Sequence, residues 1–294
     1  MNASDKKALI AFPLVILLAF GITWLGSQGS IAINGIPLLM IIVGITFLIQ
    51  WVSFIPAFIS QSEKYFDLTG SLTYVSITGA ALYLRPEMDL RSLLLAILVC
   101  LWALRLGSFL FARIQRDGKD GRFDELKPSF LRFLNVWNIQ ALWVSLTALA
   151  ALITITSQHT KELDLFAAFG LLVWIAGFTI ETIADTQKKN FRANPDNKDK
   201  FINVGLWTWS RHPNYLGEIL LWSGIMVISL PILQGWQWVA VLSPIFVTLL
   251  LTQVSGIPLV EERSDVKWGG VKEYEDYKQN TPVLLPRLFS KKQS

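Results

Sequence analysis

The segment Gly205 to Glu218, GLWTWSRHPNYLGE, places Arg211, His212, Asn214, Tyr215 and Glu218 where a long apolar run begins. Polar side chains at the entrance of a membrane-crossing helix are costly, so a ligand or an internal partner is the default reason for them. Asn214 and Glu218 are four residues apart, which puts them on one helix face, one turn apart. Pro213 suits the first position of that helix, because its missing N–H would find no partner there anyway. With Arg211 and His212 ahead of them, these groups can form a cup of donors and acceptors at a helix N-terminus, where anions are favoured. A simple helix cap, with the Glu reaching towards the interface, is the alternative.

Glu181 and Asp185 repeat the four-residue spacing near the end of the preceding apolar run, and Lys188, Lys189 and Arg192 follow. A solvated helix end explains this pattern; so does a second polar wall, since the polar stretch over 186–210 is short enough to bring both clusters to one cavity. Arg105 lies inside the fourth apolar run, facing either a counter-ion or, by snorkelling, the interface. Gln50, with Trp51, Ser53 and Pro56, interrupts the second run, and Glu63, Tyr65 and Asp67 occupy the polar turn after it. These could line a substrate pocket or form an ordinary interfacial belt.

The elements that must carry these residues are membrane helices. The 294 residues are 52% hydrophobic with 12 tryptophans, far too apolar for an ordinary soluble domain. Runs able to cross a hydrocarbon core, each of about 17 to 25 residues, occur at Ala8–Gly26, Ile36–Ile59, Gly70–Leu84, Ser92–Ala112, Phe133–Thr156, Leu163–Ile183, Tyr215–Leu233 and Trp236–Ile257, the third being the shortest. The expected fold is all-α and polytopic, with about seven to eight transmembrane helices, and it is read as one membrane domain over 1–294. The first run is long and lacks a clear small-residue cleavage site, so it is read as a helix and not as a secretory signal.

With the N-terminus inside, all but Arg85, Arg91, Arg105 and Lys161 of the 26 basic residues fall on the cytoplasmic side, which predicts cytoplasmic N- and C-termini. The net charge of +4 therefore reflects topology, and no nucleic-acid partner is needed to explain it. The expected partners are the lipid bilayer and a hydrophobic small molecule. No GxGxxG follows a strand and no GxxxxGKS is present, which excludes a Rossmann unit and a P-loop. Cys100 is the only cysteine and sits in an apolar run, and His159 and His212 fall on opposite predicted faces, so no disulfide or metal is expected.

FINVGLWTWSRHPNYLGEILLW and the late EERSDVKWGGVKEYEDYKQNTPVLLP resemble the C-terminal half of the steroid 5-alpha-reductase family, and more closely its little-characterised bacterial branch. The same RHPxY, late acids and Tyr-x-x-Tyr are similar to sterol C-14 and delta-7 reductases and to isoprenylcysteine carboxyl methyltransferases. The resemblance implies an integral-membrane oxidoreductase of the bacterial inner membrane, with a cytoplasm-facing cofactor cavity, residues 1–132 on the substrate side and residues 133–294 as the cofactor half. It would use NADPH to reduce a conjugated carbon–carbon double bond in a lipid or steroid-like enone. By position, Asn214 and Glu218 match an Asn-x-x-Gly-Glu that contacts the cofactor, Asp185 and Arg192 match an acid and a base that serve it, and Tyr274 and Tyr277 fall in the tail that closes over it. Arg211, His212 and Tyr215 complete the expected cofactor site. On the substrate side Gln50 matches a glutamine of the steroid reductases, while Trp51 and Trp102 replace the glutamate and tyrosine that polarise the carbonyl; Glu63 or Tyr65 would then supply the proton. An S-adenosylmethionine-dependent methyltransferase and a non-catalytic lipid-binding protein are the alternative readings.

Overall fold

The computed structural model describes residues 3–286; residues 1–2 and 287–294, the latter holding Phe289 and the last basic residues of the tail, lie outside the described part. Each of the eight apolar runs forms helix. They are α1 (Ala3–Gly26), α2 (Leu38–Ile59), α3 (Phe66–Leu84), α4 (Leu90–Asp117), the consecutive α5 (Phe130–Thr147) and α6 (Leu149–Thr156), α7 (Leu165–Ala193), α8 (Pro213–Ser229), and a last composite run holding α9 (Leu242–Leu249). The chain is an all-α polytopic membrane protein. Among the described residues six helices are long and apolar enough to cross a membrane, or seven if α5 and α6, bent by 62°, make one span. The third run is the one that falls short: α3 carries Asp67 and a series of Ser, Thr and Gly that dilute its apolar character. Pro56 does not end α2, which continues through it to Ile59.

The chain divides into two compact units, Met1–Ala168 with Ile225–Ser243, and Phe169–Gly224 with Pro244–Ser294. In the first, α1, α2 and α5 pack around Ala19, Val43, Phe47 and Ala141, and a second cluster gathers Phe54, Phe123, Phe133 and Trp137. Between α1 and α2 a small antiparallel hairpin pairs β1 (Ala32–Ile33) with β2 (Ile36–Pro37). Its turn is Asn34-Gly35, both with positive φ (51° and 80°), a combination that matches the twist of a two-residue hairpin.

Arg91, at the start of α4, is fully buried and ties this unit together. It donates to the carbonyls of Ile228 (2.6 Å), Glu162 (2.7 Å) and Lys161 (3.3 Å) and pairs with Asp164 at 3.1 Å. A planar fork with five donors spread over three nitrogens reaches acceptors this far apart, which the three donors on a single lysine nitrogen cannot. Arg91→Ala strands those carbonyls, and the expected cost is on the order of 3 kcal/mol, read as a lower thermal midpoint in detergent. Arg91→Lys should recover only a minor part.

In the second unit α7 and α8 meet backbone to backbone through glycines. A Cβ built on Gly177 would stand 2.5 Å from the Gly217 carbonyl oxygen; one on Gly217 would stand 2.6 Å from the Glu181 nitrogen; one on Gly224 would stand 2.6 Å from the Gly170 carbonyl oxygen. The pairs 170/224 and 177/217 are seven residues apart on both helices, the antiparallel register of small residues that lets membrane helices approach closely. After α9 a π-helical turn, Leu250–Val254, and Gly256 redirect the chain into α10 (Ile257–Trp268), and Gly269-Gly270 turn it into α11 (Lys272–Asn280).

Candidate functional site

The second unit contains an open recess. α7 supplies the first wall. The polar stretch expected to begin at residue 186 is helical as far as Ala193, because no Gly or Pro interrupts it before Pro195. Lys188 and Arg192 are thus one turn apart on a continuous helix, and both line the recess. Asn194 then caps a short turn over Pro195–Asn197 by accepting from the Asp196 N–H at 3.0 Å.

The chain returns along Lys200, Phe201 and Ile202, all lining residues. The left-handed Gly205 (φ 61°) lies against the Gln187 side chain, whose oxygen accepts from the Leu206 N–H at 3.0 Å. Trp207 donates its indole N–H to the Ala184 carbonyl at 3.2 Å, and the Lys188 ammonium stands 4.8 Å from the centre of that ring. His212 donates Nε2–H to Glu261 Oε1 at 3.0 Å, since a carboxylate can only accept; the same oxygen pairs with Arg211 at 3.2 Å. The His212 ring stacks on Tyr215, 5.5 Å between centroids and 6° between planes.

α10 and α11 close the other side. Trp268 donates to the Asp199 carbonyl at 2.6 Å, and Phe201 is surrounded by Tyr274 (5.3 Å), Tyr277 (5.4 Å) and Trp268 (6.1 Å). The Tyr274 hydroxyl donates to Asp265 at 2.8 Å and that of Tyr277 to the Trp207 carbonyl at 2.7 Å, and both residues line the recess. Burial, with the nearby Asp265 carboxylate, pushes the Tyr274 phenol above its ordinary range; burial pushes Tyr277 up to about 12. Both are protonated donors at neutral pH.

Burial lowers the His212 pKa below its ordinary 6.5, against the pull of Glu261, which raises it. A histidine depressed in the fold contributes stability that is present above its unfolded value and is lost as pH falls through the folded one. Thermal unfolding followed from about pH 8 to about pH 5 should therefore show stability declining below about pH 6.5, with a shallower decline in His212→Gln.

Of the expected cofactor residues, Arg192, Arg211, His212, Tyr274 and Tyr277 line the recess. Asp185, Asn214, Tyr215 and Glu218 belong to the same unit but are not among the residues that line it: Asp185 is buried, Tyr215 stacks on His212, and Asn214 Oδ1 is buried without a hydrogen-bond partner. Sequence reasoning did not single out Glu261, Phe201, Lys200 or Trp268 as site residues. The available signal was weak: Glu261 opens the first charged stretch after the last apolar run, and Phe201 and Trp268 are isolated aromatics in polar segments.

Gln50, Glu63 and Tyr65 lie in the first unit. Gln50 is fully buried, donates Nε2–H to Thr73 Oγ1 at 2.9 Å and leaves Oε1 without a partner. Glu63 accepts from Lys127 at 2.7 Å and from the Asp120 N–H at 2.8 Å, pinning the loop after α4. Burial works against its charge, yet the Lys127 and Asp120 hydrogen bonds prevail and hold its pKa below the ordinary value. Tyr65 is exposed and stacks on Phe111.

Residues 53–281 match the family described as "Protein of unknown function (DUF1295)". The chain is similar to a steroid 5-alpha-reductase of Gossypium hirsutum, 25% identical over 182 residues, 60% of this chain and 62% of that one. It is similar to a delta(14)-sterol reductase of Neurospora crassa, 33% identical over 99 residues, 28% of this chain and 19% of the relative. A protein of Ustilaginoidea virens named "Probable O-methyltransferase" is 31% identical over 70 residues, 24% of this chain and 25% of the relative. The matches thus span less than two thirds of each of these relatives. No solved structure matches. With most of its length inside one family match, the chain belongs to the DUF1295 family, which is related to the steroid 5-alpha-reductases and sterol reductases.

Proposed function

We propose that the chain is an integral-membrane reductase that takes NADPH in the recess of its second unit and reduces a conjugated carbon–carbon double bond in a lipid or steroid-like enone. The observation that carries this reading is the charge and shape of the recess. Five cations, Lys188, Arg192, Lys200, Arg211 and Lys278, line it against a single carboxylate, Glu261, and six aromatic rings complete its walls. A nucleotide with three phosphates, one of them a monoester of about −1.5 to −2 charge, complements such a surface. S-adenosylmethionine, which carries a sulfonium, does not, so the O-methyltransferase likeness ranks second. The buried, unpartnered Arg211 Nε fits a ligand that brings an acceptor.

When bound, NADPH supplies a hydride. The chain's own part is to hold and shield it. Lys188, Arg192 and Lys200 take the phosphates through charge-assisted hydrogen bonds. Phe201, Trp268 and the two tyrosine rings offer flat apolar faces to a planar ring and keep water out. On the substrate side the reading retains Gln50, for its free buried acceptor, and the Tyr65 phenol, while Glu63 acts as the anchor of the 118–128 loop. The recess and both termini are assigned to the cytoplasmic side on the charge bias of the loops.

Deuterium-labelled NADPH tests the reaction. Incubated with an enone lipid in mild detergent, the protein should place deuterium on the carbon beta to the carbonyl and a solvent proton on the alpha carbon. Methyl transfer from S-adenosylmethionine with no deuterium in any product would overturn the reading in favour of the second.

A further inference from the structure

We infer that the aromatic corner around Phe201 takes the adenine ring of the nucleotide and recognises it by its face and not by its edge, so that the base can be exchanged for another purine with little loss. The inference rests on the nucleotide reading above and says where one end of that ligand goes.

Four rings from three segments make the corner. Phe201, on the returning chain, stands 5.3 Å from Tyr274 and 5.4 Å from Tyr277 of α11 and 6.1 Å from Trp268 of α10, and all four line the recess. Their polar atoms are engaged by the protein itself. The Tyr274 hydroxyl donates to Asp265 (2.8 Å), that of Tyr277 to the Trp207 carbonyl (2.7 Å) and the Trp268 indole N–H to the Asp199 carbonyl (2.6 Å). Ser264, one turn before Trp268 and also a lining residue, donates its hydroxyl to the Val260 carbonyl at 2.9 Å. Turning any of these donors to a ligand would exchange one good hydrogen bond for another and gain little. Lys200, adjacent to Phe201 in the chain, and Lys278, 5.4 Å from the Tyr274 ring centre and paired with Asp265 at 2.7 Å, carry ammonium groups on flexible stems, which suit a phosphate better than the fixed edge of a base. Ring surface is what the corner has to offer. That suits one end of the dinucleotide and not the other. A nicotinamide that delivers a hydride must be held in one orientation, which its carboxamide obtains through hydrogen bonds; these four residues have no donor left to supply them. Adenine has only to be held, and a base stacks on an aromatic side chain whatever its edge carries.

Calorimetry with three probes tests this: NADPH, its analogue with hypoxanthine in place of adenine, and adenosine 2',5'-bisphosphate, which keeps the base and the extra phosphate but has no nicotinamide. The hypoxanthine analogue replaces the amino donor of adenine by an oxo acceptor and leaves the ring face nearly unchanged. The unaltered protein should bind it within about threefold of NADPH. A loss of about tenfold or more would mean that the edge is read, by main-chain groups of the 200–203 segment for instance, and would overturn the inference. Phe201→Ala should weaken NADPH, the analogue and the bisphosphate by one common factor of about tenfold, the cost of losing one stacking partner. If Phe201→Ala weakens NADPH and leaves the bisphosphate unchanged, the nicotinamide end lies in the corner and the inference fails. Should Phe201→Ala prove unstable, Phe201→Leu keeps most of the volume without the aromatic face and is expected to shift the three probes together, while the comparison of NADPH with its analogue needs no variant. Binding of NADPH with rejection of the analogue sinks this inference alone and leaves the reductase reading intact. If the unaltered protein binds none of the three, the reductase reading fails and this inference falls with it.

Discussion

Gly217→Val should abolish nucleotide binding without touching any residue of the recess. The built Cβ already stands 2.6 Å from the Glu181 nitrogen and from the Gly177 carbonyl oxygen, and these are backbone atoms of α7 that cannot rotate away. Two more methyl groups force α7 and α8 apart. Such overpacking costs about 1–3 kcal/mol in ordinary cores, and more where the obstacle is main chain. The displacement shifts Lys188 and Arg192 on one helix against Arg211 and His212 at the head of the other, and a change of that kind should weaken NADPH at least a hundredfold, equivalent to about 2.7 kcal/mol. Gly217→Ala should show a smaller loss of the same kind. Gly79→Ala is the control: nothing lies within 4 Å of its built Cβ, so binding should be unchanged.

Charge reversal at the phosphate end should be the next most severe change. Lys188→Glu with Arg192→Glu removes two of the five lining cations and adds two repulsive carboxylates. Each lost charge-assisted contact is worth about 1.5–3 kcal/mol, so NADPH affinity should fall by at least about a hundredfold. Arg192→Gln alone should cost about tenfold. The losses should be greater for NADPH than for NADH if these side chains meet the extra phosphate. Rising salt should weaken the unaltered protein more than the variant, because the variant has less attraction left to screen.

Much of this was written in the chain at the level of helices and little at the level of the cup. Long apolar runs report membrane helices directly, since a single segment in lipid satisfies its own backbone polar groups only as a helix, and all eight runs became helix. The continuation of α7 to Ala193 was not legible, because a polar helix beyond a membrane span has no apolar stripe to mark it. Gly177 and Gly217 are ordinary residues in sequence and become essential only through their register on the facing helix. RHPNYLGE was legible as a dense polar group, but the structure parts it into residues that line the recess, Arg211 and His212, and residues that do not, Asn214, Tyr215 and Glu218. Glu261 escaped because its partners lie far back in the chain, at residues 211 and 212. No local spacing could announce that pairing. Glu63 was conspicuous as an acid in a polar turn, yet its role depends on Lys127 and Asp120, brought to it by the fold of a loop.

The central claim is that the second unit holds a reduced dinucleotide phosphate. Titration of the purified protein in mild detergent with NADPH, NADH and S-adenosylmethionine, followed by calorimetry, tests it most directly. The account predicts saturable binding of NADPH, weaker binding of NADH, and none of S-adenosylmethionine. Binding of S-adenosylmethionine with no response to NADPH would contradict it.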